Sequence, residues 1–112
     1  MQPQGHLQVF LNLLVWGMNP QQAVDAPRLS VGKPYDPRAE GVSVEEGVGD
    51  SGVVDELARK GHEIGVVTGW YRAIFGRGQV IRYRLDEEDG DGRTGIWSAG
   101  SDMRGDGHAV GY

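Results

Sequence analysis

The first sixteen residues set the hydrophobic pattern of this chain. Leu7, Phe10, Leu11 and Leu14 recur at the i, i+3, i+4, i+7 spacing of one helical face, which predicts a helix over 5–16. Val9, Leu13 and Trp16 add a second apolar stripe, so only Gln8 and Asn12, one turn apart, mark a polar side. A helix apolar on most of its circumference must be covered on more than one side. Either later elements wrap it, or it belongs to a larger protein that supplies the cover.

Gly17 is placed to stop that helix at C′. Asn19-Pro-Gln-Gln22 then reads as a second start, with Asn19 as N-cap, Pro20 at N1 and Gln22 at N3. Pro27 keeps this helix short, because the residue before a proline disfavours the helical conformation. Residues 28–41 predict a brief extended piece followed by a loop punctuated by Pro34 and Pro37. Val42 and Val44 alternate with Ser43 and Glu45 as in a short strand. A third helix carries Val53, Val54, Leu57 and Ala58 on one face, with Asp50 or Ser51 as its cap, Arg59 and Lys60 in its last turn and Gly61 as its stop. His62 to Thr68 predicts a strand, and Gly69 to Gly78 an irregular segment. Gln79 to Leu85 alternates, with Gln79, Ile81, Tyr83 and Leu85 on one face; Asp86 to Gly92 is a turn and Arg93 to Ala99 the partner strand. With no repeat and no internal boundary, residues 1–112 read as one α+β layer structure with an antiparallel portion.

Composition thins the expected core. Glycine supplies 19 of 112 residues, against a usual share of about 7%, and each ordered glycine carries a high entropy cost. The net charge of −5 lacks the basic footprint of a nucleic-acid binder. The longest apolar run, Leu13 to Trp16, is too short to span a bilayer, so this segment predicts no membrane contact. No basic n-region precedes it, so it does not read as a signal peptide. Without cysteine, no thiolate metal site or cysteine nucleophile is possible.

Candidate chemistry is sparse. The acidic turn at 86–92 fails the calcium-loop pattern, since the twelfth position from Asp86 is Trp97 and from Asp89 is Gly100. His6, His62 and His108 lie in separate segments without metal-ligand spacing, so neither metal nor other cofactor is expected. Arg104-Gly105-Asp106 spells an adhesion tripeptide but reads as a turn. Gly76-Arg77-Gly78 lacks the Lys-Ser/Thr of a phosphate loop. No serine or threonine sits in a nucleophile elbow or beside a sequence-local base, so no catalytic residue is assigned.

Two stretches change this picture. Met1-Gln-Pro-Gln-Gly-His-Leu-Gln8, continuing through Asn19-Pro-Gln-Gln-Ala-Val-Asp-Ala-Pro-Arg28, closely resembles the small-subunit segment of the gamma-glutamyltranspeptidase family. Gly100-Ser-Asp-Met-Arg-Gly-Asp-Gly-His-Ala-Val-Gly-Tyr112 is similar to that family's C-terminal signature, with Met103 where a proline is usual. Val44 to Gly47, Arg59 to His62 and Phe75 to Gln79 match between them, in order.

The resemblance implies a partial αββα sandwich of the N-terminal nucleophile hydrolases, with helices packed on a mainly antiparallel sheet. In such enzymes a precursor cleaves itself, and the new N-terminal Thr attacks an amide carbonyl with its own α-amine as base. A glycine pair donates backbone N–H groups to the oxyanion. The resemblance places the Thr and the glycine pair upstream of the segment seen here, and the substrate-carboxylate Arg in the large subunit. The expected partners are therefore that large subunit and the N-terminal part of the small subunit, with a small amide as substrate. Met1 is expected to be an internal methionine just downstream of the active-site loop, so that helix 5–16 supports that loop. Gln2 and Gln4, and Gln79 with its glycine-rich approach, are the residues expected to lie nearest substrate. Within the family's range of γ-glutamyl, cephalosporin-type and oxamate-type amides, the opening residues look more like the hydrolase branches. The alternative is a free-standing binding or assembly domain that keeps the architecture without the reaction.

Overall fold

The computed structural model describes residues 1–32, 41–48, 52–85 and 94–111. The loop punctuated by Pro34 and Pro37, the cap residues Asp50 and Ser51, and the turn at 86–92 with Arg93 lie outside them. Helix α1 spans Gln2–Leu14. It starts three residues before the expected boundary because Pro3 fits a first helical turn, where the missing N–H costs nothing. Its C-cap is Val15, so Gly17, expected at C′, stands one residue later and turns the chain at φ 65°. Helix α2, Pro20–Asp25, carries the complete capping box: the Asn19 side chain accepts from Gln22 N–H, and the Gln22 side chain accepts from Asn19 N–H.

Strands β1 (Leu29–Val31), β2 (Val42–Glu45) and β3 (Ile64–Val67) form one sheet in that order, β1 antiparallel and β3 parallel to β2. Helix α3 (Val53–Arg59) connects β2 to β3. Its N-cap position is held by Gly52 at φ 71°, without a side-chain cap, and Gly61 ends it as expected, at φ 93°. Gly69–Phe75, expected to be irregular, forms a 3-10 helix that buries Phe75 and leaves Trp70 and Tyr71 in solvent. Between Gly69 and Gly76 the segment has neither glycine nor proline, so nothing local interrupts a short helical run. Strands β4 (Gln79–Leu85) and β5 (Gly95–Ser101) form the expected antiparallel hairpin, with Gln79 opposite Ser101 and Leu85 opposite Gly95. The architecture is α+β, a partial sandwich in which α2 packs against β5, β4 and α1.

The interior is small and strongly polar. Among the described residues, Pro20, Ala23, Val24, Val44 and Phe75 are the buried apolar side chains, beside buried Arg28, Ser30, Ser43, Glu45 and Asp102. Two apolar surfaces stay open. On α1, Leu7, Phe10 and Leu14 face solvent, and Trp16 just beyond it is 70% exposed. On the hairpin, Ile81, Tyr83 and Leu85 share a face with Trp97, and Ile81 and Trp97 are 71% and 69% exposed. The chain presents 8283 Å² to solvent, whereas a compact 12.2 kDa monomer presents about 6,000 Å². Its 16.9 Å radius of gyration likewise exceeds the roughly 13 Å of a compact chain this long.

Candidate functional site

The polar stripe of α1 points inward. Gln4 donates to Val31 O at 3.2 Å and accepts from Val31 N–H at 2.7 Å; Gln8 does the same to Leu29 at 2.9 and 2.8 Å. A side-chain amide carries the same donor and acceptor as a peptide group, so each glutamine completes one residue of the β1 edge. The match is metrical: the four-residue step from Gln4 to Gln8 rises about 6 Å, and two strand residues advance about 6.6 Å. Asn12 extends the stripe by donating to Ala23 O at 3.3 Å. Gln21 repeats the device on β5, donating to Ser101 O at 2.8 Å and accepting from Ser101 N–H at 3.1 Å.

Beneath these contacts lies a four-charge network, Arg28, Glu45, Asp102 and Arg104, with no side chain more than 4% exposed. Arg104 places all five of its N–H donors. Its fork grips Glu45, with Nε 2.5 Å from Oε1, while the terminal nitrogens reach Asp102 Oδ1 at 2.9 Å, Val24 O at 2.8 Å and Ala26 O at 3.1 Å. Asp102 takes Arg104 N–H and side chain on Oδ1, and Gly78 N–H at 2.8 Å and Arg28 at 2.6 Å on Oδ2. Burial pushes the Asp102 carboxyl upward, but the backbone and side-chain hydrogen bonds from Arg104, then Gly78 N–H and the Arg28 charge, hold it below its ordinary value. Burial likewise disfavours the Arg104 cation, and the hydrogen bonds it donates to Glu45 and Asp102 overcome that and raise its pKa. Arg28 bonds Val24 O at 2.9 Å, Gly76 O at 3.2 Å and Phe75 O at 3.4 Å, but its buried Nε has no acceptor. The quartet joins α2, both sheets and the C-terminal segment. Met103 to Asp106 is the expected turn, and burial of Arg104 removes the tripeptide from any adhesion surface.

A cavity of about 410 Å³ opens between α1 and the Phe75–Val80 segment. Gln2 and Gln79 both line it, together with His6, Arg28 and Arg77. Gln79 Nε2 is hydrogen-bonded to Ser101 Oγ at 2.9 Å. Gln4 does not line the cavity; its amide is engaged on Val31. Among the described residues no group of three His, Cys, Asp or Glu converges as a metal site, and no helix is long and apolar enough to cross a membrane. Pattern reading missed the quartet because Glu45 and Arg104 look like ordinary surface charges, 59 residues apart. The signal available was the C-terminal Ser-Asp-Met-Arg itself.

The sequence matches the gamma-glutamyltranspeptidase family across residues 1–112, and the chain belongs to that family. It is 36% identical over 110 residues to the glutathione hydrolase-like YwrD proenzyme of Bacillus subtilis (strain 168), covering 98% of this chain and 19% of that protein. It superposes on the cephalosporin acylase from Bacillus halodurans with a TM-score of 0.75 and 34% identity, covering 98% of this chain and 18% of the acylase. An acivicin-inhibited gamma-glutamyltranspeptidase gives a TM-score of 0.70 at 21% identity over 92% of this chain and 47% of its own, which shows the shared N-terminal nucleophile hydrolase fold. The chain thus spans less than a fifth of the length of the curated relative and of the acylase that it matches.

Proposed function

We propose that this chain is the C-terminal part of the small subunit of a gamma-glutamyltranspeptidase-like amide hydrolase or acyltransferase, and that it is inactive alone. The nucleophilic Thr, the oxyanion donors and the substrate-carboxylate Arg belong to the rest of that enzyme, and a small amide is its substrate. The observation that carries this reading is the orientation of α1. Gln4, Gln8 and Asn12 turn its polar stripe into the chain and its apolar face away from it, a surface that only further protein covers. In the complete enzyme this clamped helix supports the oxyanion loop, whose placement matters at about the 1 Å level. Gln2 and Gln79, which share a cavity, are the residues proposed to lie nearest substrate; Gln4 supports the helix on which Gln2 sits. In the acivicin-inhibited relative the C-terminus has critical roles in autoprocessing and catalysis. Here Asp102 and Arg104 would serve such roles indirectly, by anchoring the C-terminal segment under the active-site elements.

The test is direct. The purified 112-residue chain is assayed with a chromogenic γ-glutamyl anilide and a glutaryl amide, and no turnover is expected. Hydrolysis that survives Thr68→Ala would overturn the assignment of the chemistry to residues outside this chain.

A further inference from the structure

We propose that Gly107 is a positioning residue for Gln79: the C-terminal segment lies against the Gln79 amide because residue 107 has no side chain, and so it sets where that amide stands at the cavity wall. This role rests on the reading that Gln79 lies near substrate, and adds what holds it in place. The wall and the segment are laced together residue by residue. Gly78 O accepts from Asp102 N–H at 3.1 Å, Gly78 N–H donates to Asp102 Oδ2 at 2.8 Å, and Arg77 Nε donates to Arg104 O at 3.3 Å. Gln79 Nε2 donates to Ser101 Oγ at 2.9 Å, and Ser101 is itself fixed through both its backbone groups by the Gln21 amide. Arg77, Gly78 and Gln79 all line the cavity, so the C-terminal segment backs that part of its wall.

Two glycines let the segment lie so close. A Cβ at position 105 would stand 2.8 Å from Arg77 Cδ; one at position 107 would overlap Gln79 Nε2 and stand 2.5 Å from Ser101 Oγ. Both lie far inside the ordinary non-bonded separation of about 3.5 Å. Gly107 does not adopt the left-handed backbone conformation, so close contact alone calls for glycine there. The atoms in its way are the tips of two rotatable side chains. An added methyl therefore turns the Gln79 amide off Ser101 and leaves the backbone bonds of the segment in place.

The experiment is NMR of the ¹⁵N-labelled 112-residue chain, with the Gln79 side-chain amide identified by its disappearance in Gln79→Ala. In the unsubstituted chain that amide should show a nuclear Overhauser contact to the Gly107 Hα protons, and its absence would overturn the proposal however the variants behave. Gly107→Ala should move the Gln79 side-chain resonances to those of a free primary amide. The Gly78 and Asp102 backbone amides should keep their shifts, and the urea midpoint should change by less than about 0.3 M. The backbone amides of Gln79 and Val80 should move in Gly107→Ala alone, and in a Gln79→Ala background, where no amide is left to displace, the same substitution should leave them still. Unmoved Gln79 side-chain resonances would overturn the positioning role. So would a Gly107→Ala chain that loses the bonds between Asp102 and Gly78 or unfolds, which is what a merely structural glycine requires. The readout is the amide and not turnover. Coupling of Gly107 to Gln79 therefore stands or falls separately from the reading that Gln79 lies near substrate.

Discussion

Replacing Arg104 with Met tests whether the buried quartet holds this chain together. The substitution keeps much of the stem volume and removes five hydrogen bonds, two of them donated to the carbonyls of Val24 and Ala26. It also leaves Glu45 and Asp102 facing Arg28 alone, a net buried negative charge. Breaking a buried pair from one side costs about 3–5 kcal/mol. With so few buried apolar side chains among the described residues, the reserve of this chain belongs at the low end of the usual range, about 5 kcal/mol. The variant should therefore lose most of it, and its urea midpoint should fall by about 2 M for an m-value near 1.5 kcal/mol/M. Adding Glu45→Gln should recover part of the loss by removing the orphaned charge. The pH dependence has a fixed sign. Asp102 has a depressed pKa when folded, so its contribution is present above its unfolded value and lost as pH falls through the folded one, below about pH 4. The raised pKa of Arg104 adds stability that is fully present below its unfolded value, far above neutral pH, and is lost only at still higher pH. In Arg104→Met the side-chain bond to Asp102 disappears while the backbone N–H bond of residue 104 and the burial remain, so the acid transition should move to higher pH. Circular dichroism against urea at pH 7 and pH 4 reads both effects. A midpoint change under about 0.5 M at pH 7, or an unmoved acid transition, would refute the reasoning.

Three further substitutions probe how the elements are fixed. Asn19→Ala removes the cap of α2 and should cost about 1 kcal/mol, read as a lower urea midpoint, while Asn19→Gly should cost only a few tenths. Gly100→Ala would put a Cβ 2.5 Å from the Pro20 carbonyl carbon and 2.6 Å from Gln21 N, so β5 must leave α2; a loss of about 1–3 kcal/mol is expected, with Gln21 and Ser101 amide resonances moving together. Gln8→Met deletes both bonds to Leu29 and should cost about 1–2 kcal/mol, and Gln8→Glu should not rescue it at pH 7, because a carboxylate cannot donate to Leu29 O. Faster hydrogen exchange at Leu29, without global unfolding, is the accompanying readout.

Local rules located most elements, because caps, prolines and alternation act within a few residues. The Asn19 to Gln22 capping box, the Pro27 stop and the 79–85 hairpin strand all stand where the sequence put them. The misses have one character. Gly69–Phe75 could be helical or irregular on local grounds, and burial of Phe75 settles it. Glu45 sits in a strand pattern that assigns it to the solvent face, yet it is fully buried because Arg104, far along the chain, arrives to pair it. Gln4 stands ahead of the expected helix 5–16 and is expected near substrate, yet its amide bonds Val31, a contact that depends on how α1 lies across β1. Side-chain pairing across 27 or 59 residues leaves no periodic trace. Family resemblance carried the C-terminal segment into view, but the use made of Asp102 and Arg104 there is visible only in three dimensions.

The same geometry explains why α1 resisted a simple amphipathic reading. A surface helix normally buries its apolar stripe and wets its polar one. Here the polar stripe is satisfied first, by amide groups that complete strand β1 and by Asn12 on α2, and these bonds are directional. They fix the rotation of the helix about its axis as well as its position, which apolar contact alone, being non-directional, would not do. The apolar stripe then faces outward in a defined orientation, and the hairpin presents a second apolar face through Ile81, Tyr83 and Trp97. Specific polar bonds thus hold a small interior in one arrangement while most of the hydrophobic free energy remains to be gained elsewhere. On the reading proposed above, such a fold gains its remaining stability when further protein covers the two faces.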